Sequence, residues 1–341
     1  MSLARSFWVL SCASVLTAST AIAATQFDWN PAFTGTQNWK VDGNWDQSGF
    51  PNASTHVANL SVPLAASLTT NLDGSGVTLA GLTIGGTSTP VSTTIAGGFL
   101  TLRNDDSTFN NGNVLITAGG AATGTNFIST YVAVDGDSLE FSASSTSSVR
   151  LDSVEAFGAT PSIRSFMPSG LHATVDYLNI TNPSDPNNYR VFRLNDSAGS
   201  PAGMSGASTQ GTLEIGNIDG YGELNIGVTS GAHPVPLGTV KLSGINFMTG
   251  YVRMNRGNIV LANNSALGGY LLLVGQPSQG VGFNLLSDND VRTINTPVEL
   301  GQWLSIKGEH SLTWAGIVVQ SNTRGWVNLL PADKAFSVTG G

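Results

Sequence analysis

Short runs of Val, Ile, Leu, Phe and Thr, cut at nearly regular intervals by Gly, Asn and Asp, restrict the folds open to this chain more than any other feature. Candidate strands fall at 76–80, 82–84, 93–95, 99–102, 113–117, 131–134, 138–141 and 148–151. The pattern resumes at 174–180, 189–194, 212–215, 223–228, 238–242, 250–254, 258–261 and 269–274. It closes at 296–300, 303–307, 311–314, 325–329 and 335–338. Many of these runs alternate apolar and polar residues, as in Val77-Thr78-Leu79 and Leu100-Thr101-Leu102, so each strand buries one face. A helical surface needs Glu, Lys, Arg and Ala at a spacing of about 3.6 residues, and no window after residue 24 offers it.

About twenty short strands with hardly a helix leave a sandwich array, a propeller or a solenoid. Strand clusters that recur roughly every 20 to 25 residues, with no blade motif, favour the solenoid. The expected fold is therefore all-β: a right-handed parallel β-helix, with a β-sandwich array as the alternative. Asn and Gly at the corners supply the left-handed backbone that sharp bends require. Segments 158–173 and 182–211 interrupt the pattern with Pro, Gly and Ser and read as loops projecting from the coils. Composition agrees, because 41 glycines and 11% charged residues are joined to 40% hydrophobic residues, too many for a disordered chain.

At the N-terminus, Arg5 precedes an apolar stretch that ends in Ala21-Ile22-Ala23, which fits a secretory signal peptide cleaved after Ala23. Ser11, Ser14, Thr17, Ser19 and Thr20 make the stretch too polar for a membrane anchor. Cleavage removes 23 of 341 residues, leaving 318, and takes with it Cys12, the one cysteine. Neither a disulfide framework nor a thiolate metal site is then available. Loss of Arg5 leaves 13 of 14 basic residues against 22 acidic ones, a net charge of −9 that disfavours nucleic acid and anionic lipid. The chain divides into a signal peptide at 1–23, a Trp-rich cap at 24–74 and a solenoid at 75–341. That solenoid stops mid-pattern at Phe336-Ser337-Val338-Thr339-Gly340-Gly341, where an end cap is expected.

Within the cap segment Trp29, Trp39 and Trp45, three of the seven tryptophans, sit among Asn, Asp and Gly. Two roles fit them. A solenoid must cover the open edge of its first coil, and bulky rings folded over that end would do so. Exposed in a row, the same rings would form a stacking platform for sugars. The cap is the favoured expectation.

The order Trp39, Gly43-Asn44-Trp45, Gly49-Phe50-Pro51-Asn52 resembles the N-terminus of large exported bacterial proteins with autotransporter-associated β-strand repeats. A second stretch, 255–268, is similar to that family's repeat of glycine, apolar strand, Asn and Ala-Leu-Gly, here Gly257, 258–261, Asn263 and Ala266-Leu267-Gly268. The family usually has Thr-Leu after the glycine, where Asn258-Ile259 stands in this chain. No C-terminal membrane barrel and no sorting helix with a basic tail is recognisable. The resemblance implies a β-helical passenger displayed on or released from the cell surface, and it carries over no catalytic residues.

Few residues suggest chemistry. The clusters Asp73-Gly74-Ser75-Gly76, Asp135-Gly136-Asp137 and Asp288-Asn289-Asp290 offer one or two carboxylates each, where calcium takes about six or more oxygens, so they read as turns. His56, His172, His233 and His310 stand in unrelated contexts, and no Gly-x-Ser-x-Gly elbow is present. For a β-helical polysaccharide lyase the best residues are Asp176, Arg190 and Arg193 on neighbouring expected strands. The function expected is an exported, non-enzymatic structural or adhesion-type solenoid without cofactors, secreted or on the outer cell surface. Its partner is an extracellular polysaccharide or cell-surface matrix, and the alternative is a carbohydrate-binding module or a lyase.

Overall fold

The computed structural model describes residues 23–339, except 88–90, 121–123, 137, 145, 159–160, 182–189, 196–210, 228–237, 255–256, 269–271, 275–282, 289, 301–303, 308–309, 321–326 and 330–335. The expected signal peptide lies, but for Ala23, outside the described residues. Apolar and small or polar residues alternate along many of the strands, and strands that follow one another by a full coil pair edge to edge in parallel. The first ladder begins with Thr25–Asp28, Ala53–Asn59, Gly76–Ile84, Val114–Ala118 and Ser138–Ala143. The second begins with Gly35–Asn38, Leu68–Asn71, Thr93–Leu102, Thr125–Val134 and Ser148–Ala156. The two ladders join into a 24-stranded sheet. A third face forms where long strands bend, so that 76–79, 99–102, 131–134 and 153–156 also stack in register.

The inward side chains form columns with one residue per coil. Ile95, Ile128, Leu151, Val175, Ile215, Leu242 and Leu261 succeed one another along the second ladder. Val77, Leu100, Val132, Val154, Leu178 and Ile218 do so on the third face, and all are buried. Each fully buried branched or aromatic side chain contributes about 1.5–3 kcal/mol, so the column is the main source of cohesion in a chain whose single cysteine leaves no internal disulfide.

All paired strands among the described residues run parallel, the arrangement of stacked coils compatible with a parallel β-helix. This excludes the β-sandwich array, whose sheets are antiparallel. Helix among the described residues amounts to two short 3-10 turns, Asp42–Asn44 and Asn110–Gly112. No described helix is long and apolar enough to cross a membrane.

Corners are made by asparagine. The side-chain oxygens of Asn30, Asn59, Asn71, Asn104, Asn179 and Asn263 each accept the backbone N–H two residues on, at 2.8–3.1 Å. These Asx turns satisfy donors that the ladder leaves free at a bend. Where the chain turns from the second ladder to the third face, Gly97 and Gly98 take φ of 69° and 60°. Thr130 on the next coil donates its hydroxyl to both their carbonyls, at 3.0 and 2.7 Å.

Two boundaries differ from the sequence pattern. Coils begin at Thr25, so 24–74 already contributes four strands to the sheet in addition to its tryptophans. Thr25–Asp28 and Gly35–Asn38 hold one apolar residue between them, too few to show alternation. The expected loop at 158–173 contains Ser162–Ser165, a strand of the first ladder whose single inward branched residue is Ile163. Of the second expected loop, 182–189 and 196–210 lie outside the described residues.

Candidate functional site

The three N-terminal tryptophans are brought together, but inward. Trp29, Trp39 and Trp45 are 1%, 0% and 4% exposed. Trp45 meets Trp29 and Trp39 edge to face, with centroids 5.1 and 4.8 Å apart. Each indole N–H is spent on a backbone carbonyl: Trp29 on Phe33, Trp39 on Pro51 and Trp45 on Trp39, at 2.9, 3.1 and 2.9 Å. Rings so covered present no face to a pyranose. The alternative role of a stacking platform at these positions is therefore set aside, because burial of three large rings outweighs whatever a surface row would gain.

The edge they serve is visible in the hydrogen bonds. The Trp29 N–H donates to the Asn59 carbonyl on one side of the first strand. On the other side Asn30 N–H donates to Asn44, and Asp46 N–H to Asp28, at 2.8 and 3.0 Å. Residues 44–46 thus occupy, antiparallel, the edge at which the first ladder would otherwise stand open.

The lyase candidates do not assemble. Asp176 lies in His172–Asn179 on the second ladder, whereas Arg190 and Arg193 lie in Arg190–Leu194 on the first. Strands consecutive in sequence are on different faces of a coil, which spacing alone does not reveal. Asp176 is paired with Arg150 at 2.7 Å on the surface. Arg190 is buried and donates to the carbonyls of Ala156 and Thr181 at 2.8 and 3.0 Å and to that of Gly158. Burial pushes its guanidinium below the ordinary arginine value, as expected of a cation that holds a corner rather than a substrate.

The acidic clusters resolve into turns and ion pairs. Asp73 takes a left-handed φ of 58° and Asp135 faces Arg103 at 3.4 Å. Asp288 holds Arg292 through two bonds of 2.7 Å, which keep its carboxyl below the usual range. Among the described residues no group of three His, Cys, Asp or Glu side chains is placed to hold a metal ion. Asp137 and Asn289 lie outside the described residues, as does His233.

Two arrangements were not anticipated. One is a buried carboxylate under the loop that follows Thr93–Leu102. Glu140 faces outward on the first ladder yet is fully covered. It accepts from Asn110 and Asn113 at 2.9 and 3.0 Å, and from Arg164 on the next coil at 3.0 Å. Burial raises its carboxyl above the ordinary glutamate value, and these donors only partly offset the shift. An Asn-Asn-Gly-Asn run 30 residues from a lone Glu in a strand is too ordinary a signal to predict it.

The other is an aromatic step on the third face. Phe99 and Tyr131 are in register on adjacent coils and 47% and 40% exposed. Phe127, around the corner on the second ladder, is exposed too, and Tyr177 lies two coils beyond Tyr131 with Ser153 between. Coils repeat at about 4.8 Å, so the rings form a stair along the stack rather than a cluster. The Phe99 ring lies over Gly76, where an added Cβ would meet it at 2.3 Å. Hydroxyls of Thr94, Thr101 and Ser153 and the Arg150–Asp176 pair flank the stair. Rings with apolar faces and hydroxyl neighbours can stack on and hydrogen-bond to a sugar. Compared with protein-family models, with curated proteins and with solved structures, the chain finds no match in any of the three.

Proposed function

We propose that this is an exported, non-enzymatic solenoid of structural or adhesive type, a right-handed β-helix whose N-terminal end is capped by the tryptophan segment. In that role it is akin to bacterial passengers built from autotransporter-associated repeats. The observation that carries the reading is the in-register outer surface, on which hydroxylated, aromatic and charged side chains succeed one another coil by coil, as in Thr94, Phe127, Arg150, Thr174, Glu214 and Lys241. Such a surface offers many weak contacts, which add up through multivalency. Within the similar stretch, residues 257–268 support the kinship, since their local structure follows the order of the repeat. Strand Gly257–Leu261 is followed by the Asn263 turn, then by buried Ala266 and Leu267, then by Gly268 at φ 70°.

A second reading, carbohydrate binding, is favoured by the exposed stair of Phe99, Phe127 and Tyr131. Both readings are tested by incubating the purified chain from Ala24 onward with insoluble polysaccharides and a glycan array, with released sugar ends assayed alongside. Retention without release of new ends is expected. Steady release of new chain ends would overturn the non-enzymatic reading, and uniform silence on all glycans would remove the carbohydrate reading.

A further inference from the structure

Asp106 lies in the loop after Thr93–Leu102, is 3% exposed, and has no cationic side chain as partner among the described residues. One carboxylate oxygen accepts the backbone N–H and the hydroxyl of Thr108, at 2.8 and 2.6 Å. The other accepts from the backbone nitrogen of Ala24 at 2.8 Å, across 82 residues of sequence. The neighbouring charges are otherwise engaged: Asp105 with Ser54 and Arg103, and Arg103 also with Asp135. Neutral donors alone hold this covered carboxylate in its charged form, and an adjacent cation would strengthen that hold. The nitrogen that donates to it follows Ala23, the last residue of the expected signal peptide.

We propose that processing supplies the missing cation: cleavage after Ala23 turns the Ala24 nitrogen into an α-ammonium group that forms an ion pair with Asp106 and fastens the first coil to the loop at 104–113. The proposal rests on the reading of the chain as exported. In the cleavage step a signal-peptidase-type protease of the exporting cell hydrolyses the Ala23–Ala24 bond with one water. The hydroxyl goes to the Ala23 carbonyl carbon, giving its carboxylate, and the protons go to the Ala24 nitrogen. A neutral N–H donor becomes a charged one with three protons, and charge-assisted bonds of this kind are roughly twice as strong as neutral ones. Ala23 itself is exposed, so its departure leaves no hole. The same loop also covers Glu140 through Asn110 and Asn113 and lays Phe109 over Gly81, where an added Cβ would meet the ring at 2.9 Å. Fastening it therefore closes the outer surface of several coils.

The test begins with the intact mass of the chain secreted from a bacterial host, expected to start at Ala24. Chains starting at Ala24 with a free and with an Nα-acetylated amine are then compared by thermal unfolding, each with Asp106 and with the D106N substitution. Acetylation keeps one N–H for the hydrogen bond, as the uncleaved amide does, and removes the charge. The free amine is expected to unfold several degrees higher than the acetylated chain, and to react several-fold more slowly with an amine-acylating reagent than in D106N. Equal midpoints for free and acetylated wild-type chains would sink the clamp while leaving export intact, whether or not D106N folds. A mature terminus mapped elsewhere than Ala24 would overturn both the clamp and the cleavage reading.

Discussion

Trp29 and Trp45 are joined twice, by an edge-to-face ring contact with centroids 5.1 Å apart and by an antiparallel backbone bridge. The bridge is the one antiparallel pairing recorded among the described residues, in a sheet that is otherwise parallel. It stands at the edge of the first described strand of the stack, which no described coil precedes. Sequence chemistry explains the choice of residue: a ring large enough to fill the end of the apolar column also carries an N–H that can be satisfied by a nearby carbonyl.

Truncation of this end is expected to be costly. W45A removes a buried indole between two others and should lower stability by about 3–5 kcal/mol. W45F keeps most of the packing and loses the bond to the Trp39 carbonyl, so it should cost far less, about 1–2 kcal/mol. Urea unfolding followed by tryptophan fluorescence and circular dichroism checks both. Equal midpoints for W45A and wild type would show that the cap does not stabilise the stack.

Glycine positions separate strain from collision. Gly250 has φ 142° and is stacked on Gly222, whose carbonyl oxygen would lie 1.8 Å from an added Cβ. Gly112 has φ 79° with open space around it, and Gly136 has neither a positive φ nor a near neighbour. The expected order of destabilisation is G250A well above G112A, with G112A at about 1–2 kcal/mol from the left-handed backbone alone. G136A should stay within about 0.5 kcal/mol of wild type. A G250A chain as stable as G136A would mean that the coils at Gly222 and Gly250 are further apart than the register states.

Most strands were legible because alternation leaves its mark wherever three or four residues switch between branched apolar and small polar, as at Val77-Thr78-Leu79. Thr25–Asp28 and Gly35–Asn38 were not, because their partners and not their own side chains hold them in the sheet. Site chemistry was less legible still. Asp176 and Arg190 fall on strands consecutive in sequence yet belong to different ladders, since a coil distributes consecutive strands over different faces. Glu140 draws its donors from residues 24 to 30 positions away, one to the next coil and two to a loop, and no local window contains that set.

Glu140 also predicts a pH dependence. Its folded carboxyl titrates above the ordinary value, so the native state binds a proton more readily than the unfolded chain. Stability from this group therefore falls as pH rises from the ordinary glutamate value through the raised folded one, and it is fully present only below that window. Glu155, also raised by burial, adds in the same direction. Asp105, Asp106 and Asp288 have lowered carboxyls and act in the opposite sense, losing stability as pH falls through the more acidic range. Between neutral pH and the ordinary glutamate value, E140Q should reduce the slope of the urea midpoint against pH. E140A should cost about 3 kcal/mol at neutral pH, because it leaves the largely buried Arg164 without its carboxylate. An unchanged slope in E140Q would show that Glu140 titrates like a surface residue.

The outer surface makes the last expectation, in which stability and binding part company. Phe99 and Tyr131 are nearly half exposed and in cross-strand register, a pairing worth about 0.2–1 kcal/mol, so F99A with Y131A should shift the unfolding midpoint little. D176N breaks the surface pair with Arg150, and exposed pairs are worth about 0.2–1 kcal/mol, so it should be as mild. If contacts with polysaccharide are made by ring faces, sedimentation with the insoluble polymer should fall several-fold in the aromatic double variant and be unchanged in D176N. High salt should leave the wild-type fraction unaltered, because stacking is not screened while ion pairing is. Loss of retention in D176N, or in salt, with the aromatic variant still bound, would move the contact from the Phe99–Tyr131 stair to the charged row beside it.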